Sequence, residues 1–128
     1  MIFGIGTDIV QVARIQAILD QYGERFVRRI LAGAEVEDYR DTIHPARFLA
    51  RRFAAKEALA KAYGTGFTDG LTFTDIVVSH DPAGKPVLQL QGRAAELRQK
   101  MGIGEDFVSI SDEKEYAVAF VTLLKAVV

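Results

Sequence analysis

The sequence predicts an α+β fold, on three observations. Apolar residues recur at helical spacing through most of residues 11–63, they alternate or cluster as strands beyond residue 72, and Gly or Pro punctuates each change of pattern. Helices gathered early and antiparallel strands late would share one core. With 128 residues, 49% of them hydrophobic, the chain suits a single domain over residues 1–128.

The elements follow in order. Residues 2–6 are apolar with two glycines and predict a short buried strand that delivers Asp8 at its end. Val12, Ile15, Ile18, Leu19 and Tyr22 then recur at helical spacing, leaving Arg14 on a more polar flank. Gly23 breaks this helix. Residues 24–31 predict a second helix rich in Arg25, Arg28 and Arg29, and residues 34–40 a third, short and acidic. A long central helix should run over residues 45–63, because Pro45 suits a first turn and Gly64 a C-terminal cap. Residues 72–79 and 87–90 predict a hairpin across the turn Asp81-Pro82-Ala83-Gly84-Lys85-Pro86. A helix over 92–101 ends at Gly102, and residues 107–110 and 116–124 predict two strands packed, with the hairpin, against the central helix.

Charge and composition narrow the function. The 16 basic and 17 acidic residues leave a net charge of −1, so no global field draws the chain to nucleic acid or membrane. Residues 1–65 nevertheless hold ten of the basic side chains, so electrostatic recognition is local to that half. Cysteine is absent, which removes disulfides and thiol chemistry and suits a reducing cytoplasm. There is no secretory n-region at Met1-Ile2-Phe3-Gly4, and the apolar run 116–124 is too short to cross a bilayer. With His44 and His80 as the sole histidines and no His-x-x-x-His or Gly-x-Ser-x-Gly, zinc hydrolysis and triad chemistry lack support.

Two acids stand out: Asp8 in Ile5-Gly6-Thr7-Asp8-Ile9-Val10, and Glu57 in the basic helix Arg51-Arg52-Phe53-Ala54-Ala55-Lys56-Glu57-Ala58-Leu59-Ala60-Lys61. Two carboxylates can hold a hard cation such as Mg²⁺ while neighbouring Arg and Lys hold phosphates. Each acid also has a plainer explanation. Asp8 can cap the following helix, with Gln11 three residues on as in a capping box, and Glu57 can pair with Lys61 one turn later. Arg52 and Lys56 project into the middle of the apolar arc, where a charge needs a partner, an anion or a snorkelling path to water. Gly64-Thr65-Gly66 can cradle phosphate or merely turn the chain.

These stretches taken together, with Arg14-Ile15, Arg47 to Ala58, Lys61 to Gly66, Gly84-Lys85-Pro86 and Val108-Ser109-Ile110-Ser111, closely resemble the holo-acyl-carrier-protein synthase family of short bacterial 4'-phosphopantetheinyl transferases. The resemblance covers essentially the whole chain. It implies the 4'-phosphopantetheinyl transferase fold and transfer of the 4'-phosphopantetheine arm of coenzyme A to a serine of apo-acyl carrier protein, with release of adenosine 3',5'-bisphosphate, in support of fatty acid biosynthesis. By the same resemblance Asp8 and Glu57 are the Mg²⁺ ligands, and Lys61 neutralises or protonates the leaving oxygen. Asp8, Glu57 or a water on the metal can each be the general base.

Arg52, Lys56, Lys61, Gly64, Thr65, Gly66 and Pro86 are the implied coenzyme A contacts. Arg52 is the preferred phosphate contact, Lys56 is alternatively a partner of a carboxylate, and Pro86 is alternatively a plain turn residue. Arg14, Arg25, Arg28 and Arg29 would face the acidic carrier protein. The family assembles as a homotrimer whose late strands complete a neighbour's cofactor site. Phe107 departs from the pattern, since many relatives carry His there, and could stack on adenine or pack at the interface. Two other readings are a noncatalytic binding module of the same fold and a structural oligomer.

Overall fold

The computed structural model describes residues 1–127. Strand β1 (Ile2–Gln11) leads into helices α1 (Val12–Tyr22) and α2 (Glu24–Ile30), a 3-10 turn at Gly33–Glu35, helix α3 (Val36–Asp41) and the long helix α4 (Pro45–Tyr63). A 3-10 turn at Phe73–Asp75, strands β2 (Ile76–His80) and β3 (Pro86–Leu90), helix α5 (Gly92–Lys100) and strands β4 (Ile103–Asp112) and β5 (Tyr116–Lys125) complete the order. The α+β expectation holds. Helix α4 has the expected bounds, with Pro45 in its first turn and Gly64 closing it at φ 84°, a backbone region that glycine enters without a Cβ clash.

The strands form two antiparallel sheets, one of order β1-β5-β4 and one the hairpin β2-β3. Strand β1 differs from the short buried strand expected over 2–6. It runs to Gln11 along an edge of the larger sheet, pairing from Ile2 opposite Leu124 to Gln11 opposite Tyr116. Alternation explains the difference: one face of β1 meets the helix layer, while Ile5 and Ile9 on the other are 58% and 64% exposed. Three other boundaries shift, one of them that of β4, which begins at Ile103 and not at residue 107. The first residues of the expected third helix form the Gly33–Glu35 turn, and residues 73–75 make a 3-10 turn, stabilised by Thr72 N–H donating to Asp75 Oδ2 at 3.1 Å, before β2 begins.

The core lies between α4 and the larger sheet. Leu49, Ala54, Ala58 and Leu59 of α4 are fully buried, as are Ala117, Ala119, Val121 and Leu123 of β5. Small residues bring α4 unusually close to β1. A Cβ on Gly4 would collide with the carbonyl oxygen of Ala62, and one on Gly6 with that of Ala58 and, at 2.7 Å, with the amide nitrogen of Ala62. Asp8 follows on the same face two residues later, so this approach sets its height above α4. Among the described residues no helix is long and apolar enough to cross a membrane.

Gly6→Ala tests the contact directly. The obstructing atoms are backbone and cannot rotate away, so the substitution should destabilise the fold by about 3 kcal/mol in urea unfolding, whereas Gly33→Ala, with open space around its Cβ position, should change stability little.

Candidate active site

Asp8 lies towards the end of β1, opposite Ala119 of β5, and the Thr7 hydroxyl before it donates to the Ala119 carbonyl at 3.1 Å. This fixes the strand where the carboxylate projects over α4. Lys61 Nζ donates to Asp8 Oδ1 at 2.9 Å and to the Thr7 carbonyl at 3.0 Å. The i to i+4 pairing of Glu57 with Lys61 therefore does not form. Nor does Asp8 cap α1, whose N-cap is Gln11 with no side-chain cap bond. Both plainer explanations of the two acids give way to a contact between β1 and α4.

Glu57 sits half-buried one turn before Lys61, and no salt bridge among the described residues engages it. Its carboxyl is held above the ordinary Glu value, chiefly by burial and then by the nearby Asp8 charge, with Lys61 opposing. Asp8, Arg14, Phe53, Glu57 and Lys61 line one cavity of about 290 Å³. It adjoins a larger one, about 650 Å³, that shares Ile18, Phe53 and Glu57 and is bounded by Tyr22, Arg25, Phe26, Arg29, Ile30 and Phe73. A cleft thus runs from the paired carboxylates to a wall on α2. Phe53 and Phe73 line it and stack with ring centroids 5.2 Å apart, and Phe67 stacks on Phe73 behind them at 4.0 Å.

Arg52 requires a correction as a phosphate contact, and Lys56 takes its alternative reading, a partner of a carboxylate. Arg52, the expected phosphate contact, is 4% exposed, and its Nη1 donates to Glu35 Oε2 at 2.9 Å and to the Val78 carbonyl at 2.6 Å. Lys56 is fully buried and donates to Glu35 Oε1 at 2.5 Å and the Ile30 carbonyl at 2.6 Å. Neither cation reaches the cleft. Their partner Glu35, 1% exposed, also accepts from the Ala32 and Val78 amides, so every lone pair of the buried carboxylate is in use. Burial holds the Lys56 ammonium below the ordinary lysine value even though Glu35 opposes the shift. Sequence reasoning missed Glu35. The signal was the pair of cations on an apolar arc, which called for a buried acid from elsewhere in the chain.

The remaining expected residues divide. Arg14 lines the Asp8 cavity, Arg25 and Arg29 line the larger one, and the exposed Arg28 lines neither. Gly64, Thr65, Gly66 and Pro86 line neither cavity. Two loop amides are already committed, Gly64 N–H to the Lys61 carbonyl at 2.9 Å and Gly66 N–H to that of Ala60 at 3.1 Å, so the loop ends α4 and is not a three-donor cradle. Pro86 opens β3 beside Lys85, whose ammonium stands 6.0 Å from the Phe107 ring centre.

The donor set fits Mg²⁺. Two carboxylates are few for Ca²⁺ but suit a small cation that fills its shell with phosphate and water. Among the described residues no group of three or more His, Asp or Glu is placed to hold a metal ion.

Comparison with known proteins then decides the family. A family described as the 4'-phosphopantetheinyl transferase superfamily matches residues 4–121. The chain belongs to that family. Holo-[acyl-carrier-protein] synthase of Nitrosococcus oceani is 58% identical over 124 residues, 97% of this chain and 80% of that protein. The crystal structure of the Neisseria meningitidis holo-[acyl-carrier-protein] synthase superposes with a TM-score of 0.93 at 40% identity, over 98% of this chain and 100% of that one. A Bacillus anthracis holo-(acyl-carrier-protein) synthase, described in complex with CoA (3',5'-ADP), has a TM-score of 0.82 at 38% identity over 99% of each chain. The resemblance read from the sequence and the phosphopantetheinyl transferase fold are both borne out.

Holding the Glu57 carboxylate half-buried beside Asp8 costs this transferase stability at neutral pH. The Glu57 proton is bound more tightly in the folded than in the unfolded chain. Its stabilising contribution is therefore full below the ordinary Glu range and is lost as pH rises through the raised value. Glu57→Gln should then stabilise the metal-free protein at neutral pH, by less than about 1 kcal/mol because solvent screens the half-exposed group, and the gain should vanish in acid; unfolding curves at both pH values check this.

Proposed function

We propose that the protein transfers the 4'-phosphopantetheine arm of coenzyme A to a serine hydroxyl of an apo-acyl carrier protein, in the cytoplasm and with Mg²⁺, releasing adenosine 3',5'-bisphosphate. The observation that carries this reading is the meeting of Asp8, Glu57 and Lys61 at one cleft, in a chain whose relatives are holo-acyl-carrier-protein synthases. Asp8 and Glu57 would hold the metal. When bound, the metal supplies charge neutralisation at the coenzyme A pyrophosphate, which weakens the phosphoric anhydride bond.

The serine oxygen attacks the phosphorus that bears pantetheine, and the anhydride bond to the adenosine bisphosphate breaks. Lys61 stands beside the same carboxylate with half of its side chain exposed, so it can turn to the departing phosphate oxygen and stabilise the charge that develops there. The serine proton passes to a base that Asp8, Glu57 or a water of the cleft can supply. Arg14, Arg25 and Arg29 line the cleft as cations suited to an acidic carrier protein, and Arg28 is exposed on the same helix as Arg25 and Arg29 but outside both cavities.

The outer face of the larger sheet supports a homotrimer. Ile5 and Ile9 on β1, Val118 and Phe120 on β5 and Phe107 on β4 are 37% to 64% exposed on neighbouring strands, an apolar surface of the kind that copies of a chain cover. In such an assembly Pro86, Phe107 and the Gly64-Thr65-Gly66 loop would border cofactor bound at a subunit boundary. That role accommodates their position outside the cleft of one chain.

Two measurements test this reading. Incubation with coenzyme A, Mg²⁺ and apo-acyl carrier protein should add the phosphopantetheine mass to the carrier. Asp8→Ala and Glu57→Ala should each lower kcat/KM by about 10²-fold or more; coenzyme A binding without any mass gain would instead make this a noncatalytic module. Phe120→Lys should convert the trimer to smaller species in light scattering, with the chain still folded by circular dichroism.

A further inference from the structure

Among the described residues, Lys56 makes the side-chain hydrogen bond that ties α2, the wall of the cleft, to the helix turn bearing Glu57. Its ammonium donates to the carbonyl of Ile30, the last residue of α2. That carbonyl is one of those a helix leaves without an intrahelical donor, and a cation there meets the negative end of the helix. Lys56 therefore caps α2 from across the core.

The cap matters because α2 is weak by itself. It has seven residues and starts at Gly23 without a side-chain cap, so its position depends on tertiary anchors. Those anchors are the buried Phe26, Val27 and Ile30 and this ammonium. The same short helix presents Arg25 and Arg29 to the cavity shared with Glu57. Glu57 is the residue after Lys56 on α4. Glu35 in turn pins Lys56 through Oε1, and is itself held by the amides of Ala32 and Val78.

We propose that Lys56 is a positioning residue for the carrier protein: by capping α2 it fixes the spacing between the Arg25 and Arg29 wall and Glu57, and so the alignment of a docked partner's serine with the phosphate. This rests on reading α2 as the docking wall. Lys56 has no exposed surface and acts through α2, touching neither substrate.

Lys56→Met tests this with little threat to the fold, since it keeps an unbranched chain in the space and leaves Arg52 and Glu35 as a balanced pair. With carrier and coenzyme A varied separately, the carrier KM should rise about tenfold, the loss of one charge-assisted hydrogen bond. The coenzyme A KM and kcat should stay within about twofold. In an Arg29→Glu background the Lys56→Met effect should shrink, because the misplaced wall no longer carries its cation. An unchanged carrier KM, or a fall in kcat with both KM values unchanged, overturns the proposal. Arg29→Glu alone separates the two levels: if it leaves the carrier KM unchanged the docking reading fails, and if it raises that KM while Lys56→Met does not, only the positioning role fails. Should Lys56→Met not fold, Lys56→Gln, which keeps a neutral donor for Glu35 but is too short to reach the Ile30 carbonyl as well, is expected to show the same split, and its absence there is equally decisive.

Discussion

The near-contact of two backbones, β1 on α4, is the constraint from which the site follows. Gly4 and Gly6 face the carbonyls of Ala62 and Ala58, and no other residue could occupy either position without moving strand or helix. The alanines answer the glycines, since Ala54, Ala58 and Ala62 keep α4 thin where the strand crosses. Helix and strand then form one rigid unit. Asp8, the next inward position on β1, is carried to the helix turn of Glu57 and Lys61 without any loop intervening. Placement on rigid elements suits phosphoryl chemistry, in which positioning and charge neutralisation provide most of the rate.

That placement also explains which parts of the site were legible in the chain. Asp8, Glu57 and Lys61 could be singled out because their motifs persist as local strings, and Pro45 and Gly64 marked the ends of α4 by local backbone chemistry. What joins Asp8 to Lys61 is 53 residues of separation, and no helical wheel contains it. The same holds for Glu35, which lies 17 and 21 residues from Arg52 and Lys56. A wheel shows a cation on an apolar arc, but an anion of the solvent side and a carboxylate of the core are equally good answers there. Strand β1 was shortened for a related reason. Its apolar residues lie on both faces, one meeting α4 and the other exposed on the sheet, so alternation gave no contrast to read beyond Gly6.

Burial sorts the five cations of α4 into two kinds. Arg52 and Lys56 share one carboxylate inside the core and make further bonds to the carbonyls of Val78 and Ile30. Removing Glu35 leaves two uncompensated buried cations, a loss of several kcal/mol, whereas removing either cation leaves one balanced pair. Such groups cannot move during a catalytic cycle. They tie α2, the Glu35 turn, β2 and α4 to one another around the cleft. Arg51, by contrast, shares Asp112 with Arg47 near the surface, at 3.2 and 3.1 Å, where exchange with water is easy.

Lys61 belongs to the second kind, and this is what makes it chemically useful. Its pair with Asp8 is half exposed on the lysine side, and a pair of that sort contributes about 1 kcal/mol or less. In the proposed reaction, breaking it as a cation takes Asp8 and a phosphate approaches would therefore cost little. The Thr7 carbonyl, which also accepts from Nζ, keeps the ammonium near the strand end while the carboxylate changes partner. Had Lys61 been buried as deeply as Lys56, the same two atoms would form a strong structural bond and the site would have no free charge to give. The difference between a lysine that builds the enzyme and one that serves its chemistry is thus five residues along one helix, the side facing the core against the side facing the cleft.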